Sequence, residues 1–170
     1  MRKIISMLLV FFLMTVAHAA DFVLTSPAFK NNQRIPVLYT CDGKNISPKL
    51  EWANPPPKTA SFALTLYSPD SVVGVYHNWV IYNIPATYTS LAEGISKDLP
   101  DNIANAMNSA GDSIYRGPCP PDTGLHHYSF ELYALDAEVD LSEASDLDEI
   151  IRILNKHKIS SAVLTGLFSH

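Results

Sequence analysis

Apolar and polar side chains alternate from Ser61 to Tyr67, with Phe62, Leu64 and Leu66 on one face and Ala63, Thr65 and Tyr67 on the other. A period of two predicts a strand. Trp79 to Ile84 is dense in β-branched and aromatic residues and stops at Pro85, which predicts another. Further strands are expected at Phe22–Ser26, Gln33–Tyr39, Leu50–Trp52, Tyr128–Leu135 and Ser161–Phe168, with Pro36 marking an edge or bulge in the second of these. Thr87 to Arg116 is polar and reads as irregular, with one short helical turn. Such a long loop signals function or a missed element.

The period changes near the C-terminus. Leu147, Ile150, Ile151 and Leu154 recur at helical spacing and form one apolar face. Ser145 with Asp148 resembles a capping box, and Lys156, His157 and Lys158 suit the negative end of the helix dipole. Many strands and one late helix predict a mainly β (α+β) domain, a sandwich with peripheral helices rather than βαβ units.

The first 19 residues read as an address. Arg2 and Lys3 precede an apolar run from Ile4 to Val16, 13 residues long. That is short of the ~20 needed to span a bilayer. Ala17-His-Ala19 fits a cleavage site, so residues 1–19 are expected to be a secretory signal peptide and residues 20–170 a single domain. No later segment reads as a transmembrane anchor, and a periplasmic or secreted location follows. Without Arg2 and Lys3 the formal charge moves from −5 to −7. An acidic chain with no basic run is a poor binder of nucleic acid.

Cys41 and Cys119 are the two cysteines, 78 positions apart. Free thiols too distant to bridge are one reading. The even count in an exported chain favours a disulfide. A paired Cys119 has no thiolate to offer as a nucleophile beside His126.

The densest chemistry lies in Gly117-Pro-Cys-Pro-Pro121, continuing to Gly124-Leu-His-His-Tyr128. Pro118, Pro120 and Pro121 stiffen the backbone, and Gly117 and Gly124 permit turns closed to other residues. A second segment, Tyr67-Ser-Pro-Asp70, ends a strand, and His77-Asn-Trp79 opens the next. Uninterrupted alternation puts His77 and Trp79 on one face and Asn78 on the other.

Tyr67-Ser-Pro-Asp70, Asn78-Trp-Val-Ile-Tyr-Asn-Ile-Pro85 and the Gly117–Tyr128 loop resemble the two signature regions of the phosphatidylethanolamine-binding protein family, in its bacterial Raf-kinase-inhibitor-like branch. The likeness extends to Thr40-Cys-Asp-Gly43, Asn45-Ile-Ser-Pro48 and Leu50-Glu-Trp52. It implies a Greek-key antiparallel β-sandwich with a large and a small sheet, often with a cis-proline near its pocket. It also implies a pocket for small anions and phosphate-bearing head groups, formed here by Asp70, Tyr76, Asn78, Pro118, Pro120, His126 and Tyr128. The chain departs from the family pattern at Ser68, where an Asp is usual, and at Asn78, where a His is usual. Both changes alter the charge of the pocket.

His126, Tyr128 and Asn78 can donate hydrogen bonds to an anion, and Gly-Pro turns can expose backbone N–H groups. Asp70 would oppose an anion unless it orients His126. No nucleophile elbow, zinc-protease or phosphate-loop motif occurs, so neither catalysis nor a cofactor is expected. His77, His126, His127 and His157 lack the spacing of a metal site, and none is assigned. The first reading is an exported binding protein for a small anionic or phosphorylated ligand. The alternative is an inhibitor or interaction protein acting on an envelope or extracellular partner such as a protease. A phosphoester hydrolase is the least favoured.

Overall fold

The computed structural model describes residues 20–71, 74–100, 102–142 and 144–170. The expected signal peptide lies outside them. No described helix is long and apolar enough to cross a membrane.

Among the described residues, nine strands form two sheets. The small sheet joins β1 (Val23–Thr25), β3 (Leu50–Ala53) and β6 (Ser90–Leu91) in the order β1-β3-β6. The large sheet contains β2 (Gln33–Arg34), β4 (Ser61–Ser68), β5 (Tyr76–Pro85), β7 (Ala104–Ala106), β8 (His126–Leu135) and β9 (Lys158–Phe168). Its order is β2-β9-β8-β4-β5-β7. All its pairs are antiparallel except β2 with β9. The fold is the mainly β sandwich expected, with one C-terminal helix, α1 (Leu147–His157). No peptide bond among the described residues is cis.

The alternation of β4 places both faces of its sheet. Phe62, Leu64 and Leu66 turn inward and join Trp79, Ile81, Phe130 and Leu132 against Leu24, Leu50 and Trp52 of the small sheet. Trp52 meets Phe62 edge-on at 5.4 Å. Ala63, Val80, Tyr133 and Leu135 turn outward and pack under Ile150 and Leu154 of α1. The central strand is therefore covered on both faces, which explains why β4 is buried at almost every position.

Three expectations about elements are corrected. The second strand ends at Arg34, and Val37–Tyr39 forms a 3-10 turn instead, because Pro36 cannot donate to a ladder. The Thr87–Arg116 stretch carries β6, a 3-10 turn at Ile95–Lys97 and β7. The helix cap is shifted by one residue. Asp146 is the N-cap and accepts from the Glu149 backbone N–H at 2.9 Å, while Glu149 reaches back to the Ser145 N–H at 3.1 Å.

His77 lies on the outer face, its ring 5.6 Å from that of Tyr67. Burial pushes its imidazole below the usual histidine value of 6.5, against the opposing pull of Asp148 and Glu131. Its Nδ1 is buried without a hydrogen-bond partner. The unfolded chain therefore takes up this proton at a higher pH than the folded one. Stability is complete above 6.5 and falls as pH drops toward the folded value. Urea unfolding from about pH 7.5 to 5 should show this slope. A His77→Gln variant should lack that component; an unchanged slope would contradict the buried, neutral assignment.

Candidate functional site

The site is built where β4 and β5 lose register. Leu66 pairs with Trp79, but Tyr67 pairs with His77, so Asn78 is an extra residue in β5. Such a bulge breaks strict alternation and re-aims side chains. His77 keeps to the outer face with Tyr67, while Trp79 sits in the core between the sheets. The expectation that His77 and Trp79 share a face fails for this reason. Asn78 is buried and turned into a cavity, its Nδ2 donating to the Gly117 carbonyl at 3.3 Å. Its Oδ1 is buried and unpaired.

The opposite wall is the Gly117–Pro121 loop, pressed against the turn around Cys41. A Cβ on Gly117 would lie 2.2 Å from the Tyr39 carbonyl, so close approach requires glycine here. The Gly117 N–H donates to Asn45 Oδ1 at 2.7 Å, and the Cys41 N–H to the Pro118 carbonyl at 3.1 Å. Those bonds consume the Gly117 amide that an anion nest would need. A disulfide joins Cys41 to Cys119, with Cα atoms 5.4 Å apart.

These walls enclose about 400 Å³. Tyr76, Asn78, His126 and Tyr128 line the cavity, as four of the expected site residues. Asp70, Pro118 and Pro120 are not among its lining residues. The two prolines are buried and offer carbonyls to Cys41 and His170, so they brace the loop instead. Arg116, Asn45, Ser68, Ser71 and Pro121 complete the lining with Gly117 and both cysteines. Of these, Arg116, Asn45 and Ser71 carry no binding expectation from the sequence, whereas Ser68 and the Gly117–Pro121 loop belong to the signature regions. Arg116 directly precedes the Gly117 loop and Asn45 opens the Asn-Ile-Ser-Pro segment, so position beside a signature was the available signal.

The carboxylates are distributed differently from expectation. Asp70 accepts from the His127 backbone N–H at 3.2 Å and lies 3.0 Å from His127 Nδ1. His126 Nδ1 is 3.8 Å from Asp70, and its Nε2 is 3.0 Å from Asp122. Asp122 is thus the near partner of the inward histidine, and Asp70 that of the outward one. Successive strand residues point oppositely, and Asp70 at the end of β4 reaches the exposed side of β8. Burial alone would raise the Asp70 carboxyl, but hydrogen bonds from His127 and Ser68 outweigh it and hold the group below its ordinary value. Hydrogen bonds from His126 and the Gly124 backbone lower Asp122 as well.

Tyr128 is pushed up to about 12, first by burial and further by Asp70 and Asp122, against a backbone hydrogen bond from Cys119. Its hydroxyl therefore stays protonated and able to donate. Arg116 brings a cation, ion-paired with Asp112. The cavity can accordingly meet an anion with Arg116 and Tyr128 and a hydrogen-bond donor with Asn78 Oδ1.

A two-sheet sandwich in which the bulge at Asn78 and a braced loop frame such a cavity has known counterparts. The sequence profile described as phosphatidylethanolamine-binding protein matches residues 25–169, and the chain belongs to that family. It is 42% identical over 147 residues to a UPF0098 protein of Methanothermobacter thermautotrophicus, covering 85% of this chain and 97% of the relative. With the UPF0098 protein YbcL of Escherichia coli it shares 32% identity over 182 residues, 99% of this chain and 98% of that one. The crystal structure of E. coli YbcL, described as a new member of the mammalian PEBP family, superposes with a TM-score of 0.83 at 31% identity. That match covers 89% of this chain and 99% of YbcL. A PEBP homologue from Chlamydia trachomatis, CT736, gives 0.78 at 32% identity over 88% and 97% of the two chains.

Proposed function

We propose that this chain is an exported, non-catalytic binding protein that holds a small phosphate-bearing ligand in the cavity beside Asn78. The observation that carries this is the pairing of the unpaired, buried Asn78 Oδ1 with a cavity that also presents Arg116 and the Tyr128 hydroxyl. A buried acceptor without a donor costs stability unless a ligand or water satisfies it. The ligand that fits carries both a phosphate and an N–H or O–H donor, as phosphoethanolamine does. The family name is consistent with such a head group. Export is supported by the disulfide and by a Mycobacterium tuberculosis relative with a lipoprotein name, LppC.

Titration with phosphoethanolamine, ethyl phosphate, inorganic phosphate and acetate, followed by NMR, tests the reading. Phosphoethanolamine should bind roughly tenfold tighter than ethyl phosphate, the worth of one further hydrogen bond in a buried site. It should also shift the Asn78 and Tyr128 resonances. An Asn78→His variant should lose that preference, because a protonated imidazole repels an ammonium. Absence of saturable binding by every phosphate would overturn the reading. Val75, Ile114 and Leu125 are more than half exposed, and each lies one or two residues from a lining residue. That apolar neighbourhood favours the protein-partner reading if the phosphates fail.

A further inference from the structure

We propose that reduction of the Cys41–Cys119 disulfide uncovers a site for one zinc-like metal ion, held by the two thiolates and the His170 imidazole and oriented by Asp42. The sequence offered no short-spaced ligand motif. The fold supplies the site by bringing positions 41, 119 and 170 together. The two sulfurs and one imidazole nitrogen lie within 4.8 Å of one another. Tetrahedral zinc with two sulfurs and a nitrogen separates its ligand atoms by roughly 3.5–3.8 Å, so shifts of about an ångström suffice.

The imidazole is already mounted as a metal-ligating histidine would be. His170 Nδ1 lies 3.0 and 2.9 Å from the two Asp42 oxygens, which fixes the ring and leaves Nε2 as the ligand atom. A carboxylate behind a ligating imidazole raises its basicity and sets its tautomer. Nε2 now contacts the Pro120 carbonyl at 2.9 Å and would exchange that contact for the metal. The ring also packs edge-on against Phe168 at 5.9 Å. Asp42 and the Pro120 carbonyl raise the His170 imidazole above its usual value, so protons compete with the metal as pH falls.

The chemistry balances with a dithiol as reductant. It supplies two electrons and two protons, the S–S bond breaks to two thiols, and the dithiol closes to its own disulfide. Metal binding then expels the thiol protons and, where present, one from His170. Two thiolates and an imidazole select zinc or copper(I) over magnesium or calcium and leave a fourth position for water. The proposal is independent of the ligand reading, although both cysteines line the same cavity.

The test uses protein reduced with a phosphine, desalted without oxygen and titrated with cobalt(II), then with competing zinc(II). The reduced protein should bind one equivalent, with thiolate-to-cobalt charge transfer and the visible bands of a tetrahedral site. The oxidised protein should show neither. Asp42→Asn should weaken binding by about 10- to 100-fold, and His170→Ala by at least as much while shifting the visible bands. No stoichiometric binding by the reduced protein overturns the proposal. So does binding that His170→Ala leaves unchanged, which is also what an unfolded dithiol chain would give.

Discussion

Trp79→Ala is expected to cost about 3–5 kcal/mol of folding stability. Trp79 is fully buried between the sheets, and its loss leaves a gap too large for the neighbouring strands to close. Two directed contacts go with it. The indole Nε1 donates to Asn105 Oδ1 at 2.7 Å, and the ring meets Tyr115 edge-on at 5.4 Å. Tyr115 in turn donates its hydroxyl to the Tyr39 carbonyl at 2.8 Å. Trp79 thus lies at one end of a chain of contacts running from the bulged strand to the turn that carries Cys41. The deletion should reduce ligand affinity as well as stability. Trp79→Phe separates the two effects. It keeps most of the packing but leaves Asn105 Oδ1 without its donor, at a cost of about 1–3 kcal/mol. Urea unfolding of both variants measures the difference. A loss below about 1 kcal/mol for Trp79→Ala would mean that the core collapses around the missing ring.

What the sequence revealed about the site divides along physical lines. The parity of β4 was legible because its inward positions carry the large apolar Phe62, Leu64 and Leu66, while its outward ones carry Ala63, Thr65 and Tyr67. The opposed placement of His126 and His127 followed from the same parity, with side-chain exposures of 12% and 54%. The bulge at Asn78 was not legible, because a period-two argument assumes an unbroken ladder. Once it is present, every assignment before it changes face. The partner of Asp70 was misjudged for a related reason. Adjacent histidines differ by one residue in sequence but by a whole sheet face in space, and only the register of β4 on β8 decides which one Asp70 meets. Asp122 lay in view, four residues from His126, yet loop geometry rather than spacing turns it onto that ring. For Arg116 the sequence offers only its place beside the Gly117 loop, because the cavity wall forms when Gly117 packs against the distant Tyr39 turn.

Replacing both cysteines, Cys41→Ser with Cys119→Ser, is expected to cost about 2–5 kcal/mol while leaving the cavity largely intact. The bridge spans a sequence separation of 78 residues. In the chain-entropy account, closing a loop of that length stabilises by roughly 4–5 kcal/mol, through the unfolded chain. The folded state does not depend on the bridge alone. The Cys41 N–H to Pro118 carbonyl bond and the Gly117 N–H to Asn45 Oδ1 bond hold the same two segments together. The tight contact of Gly117 with the Tyr39 carbonyl does so as well. Affinity for phosphoethanolamine should therefore fall by less than about tenfold, even as the urea midpoint drops sharply, because less than one hydrogen bond's worth of binding free energy is at stake. The two readouts distinguish a staple acting on the unfolded chain from a strut holding the cavity open. Equal losses in both would identify the strut. A stability change below about 1 kcal/mol would instead show that the unfolded chain already keeps these segments close.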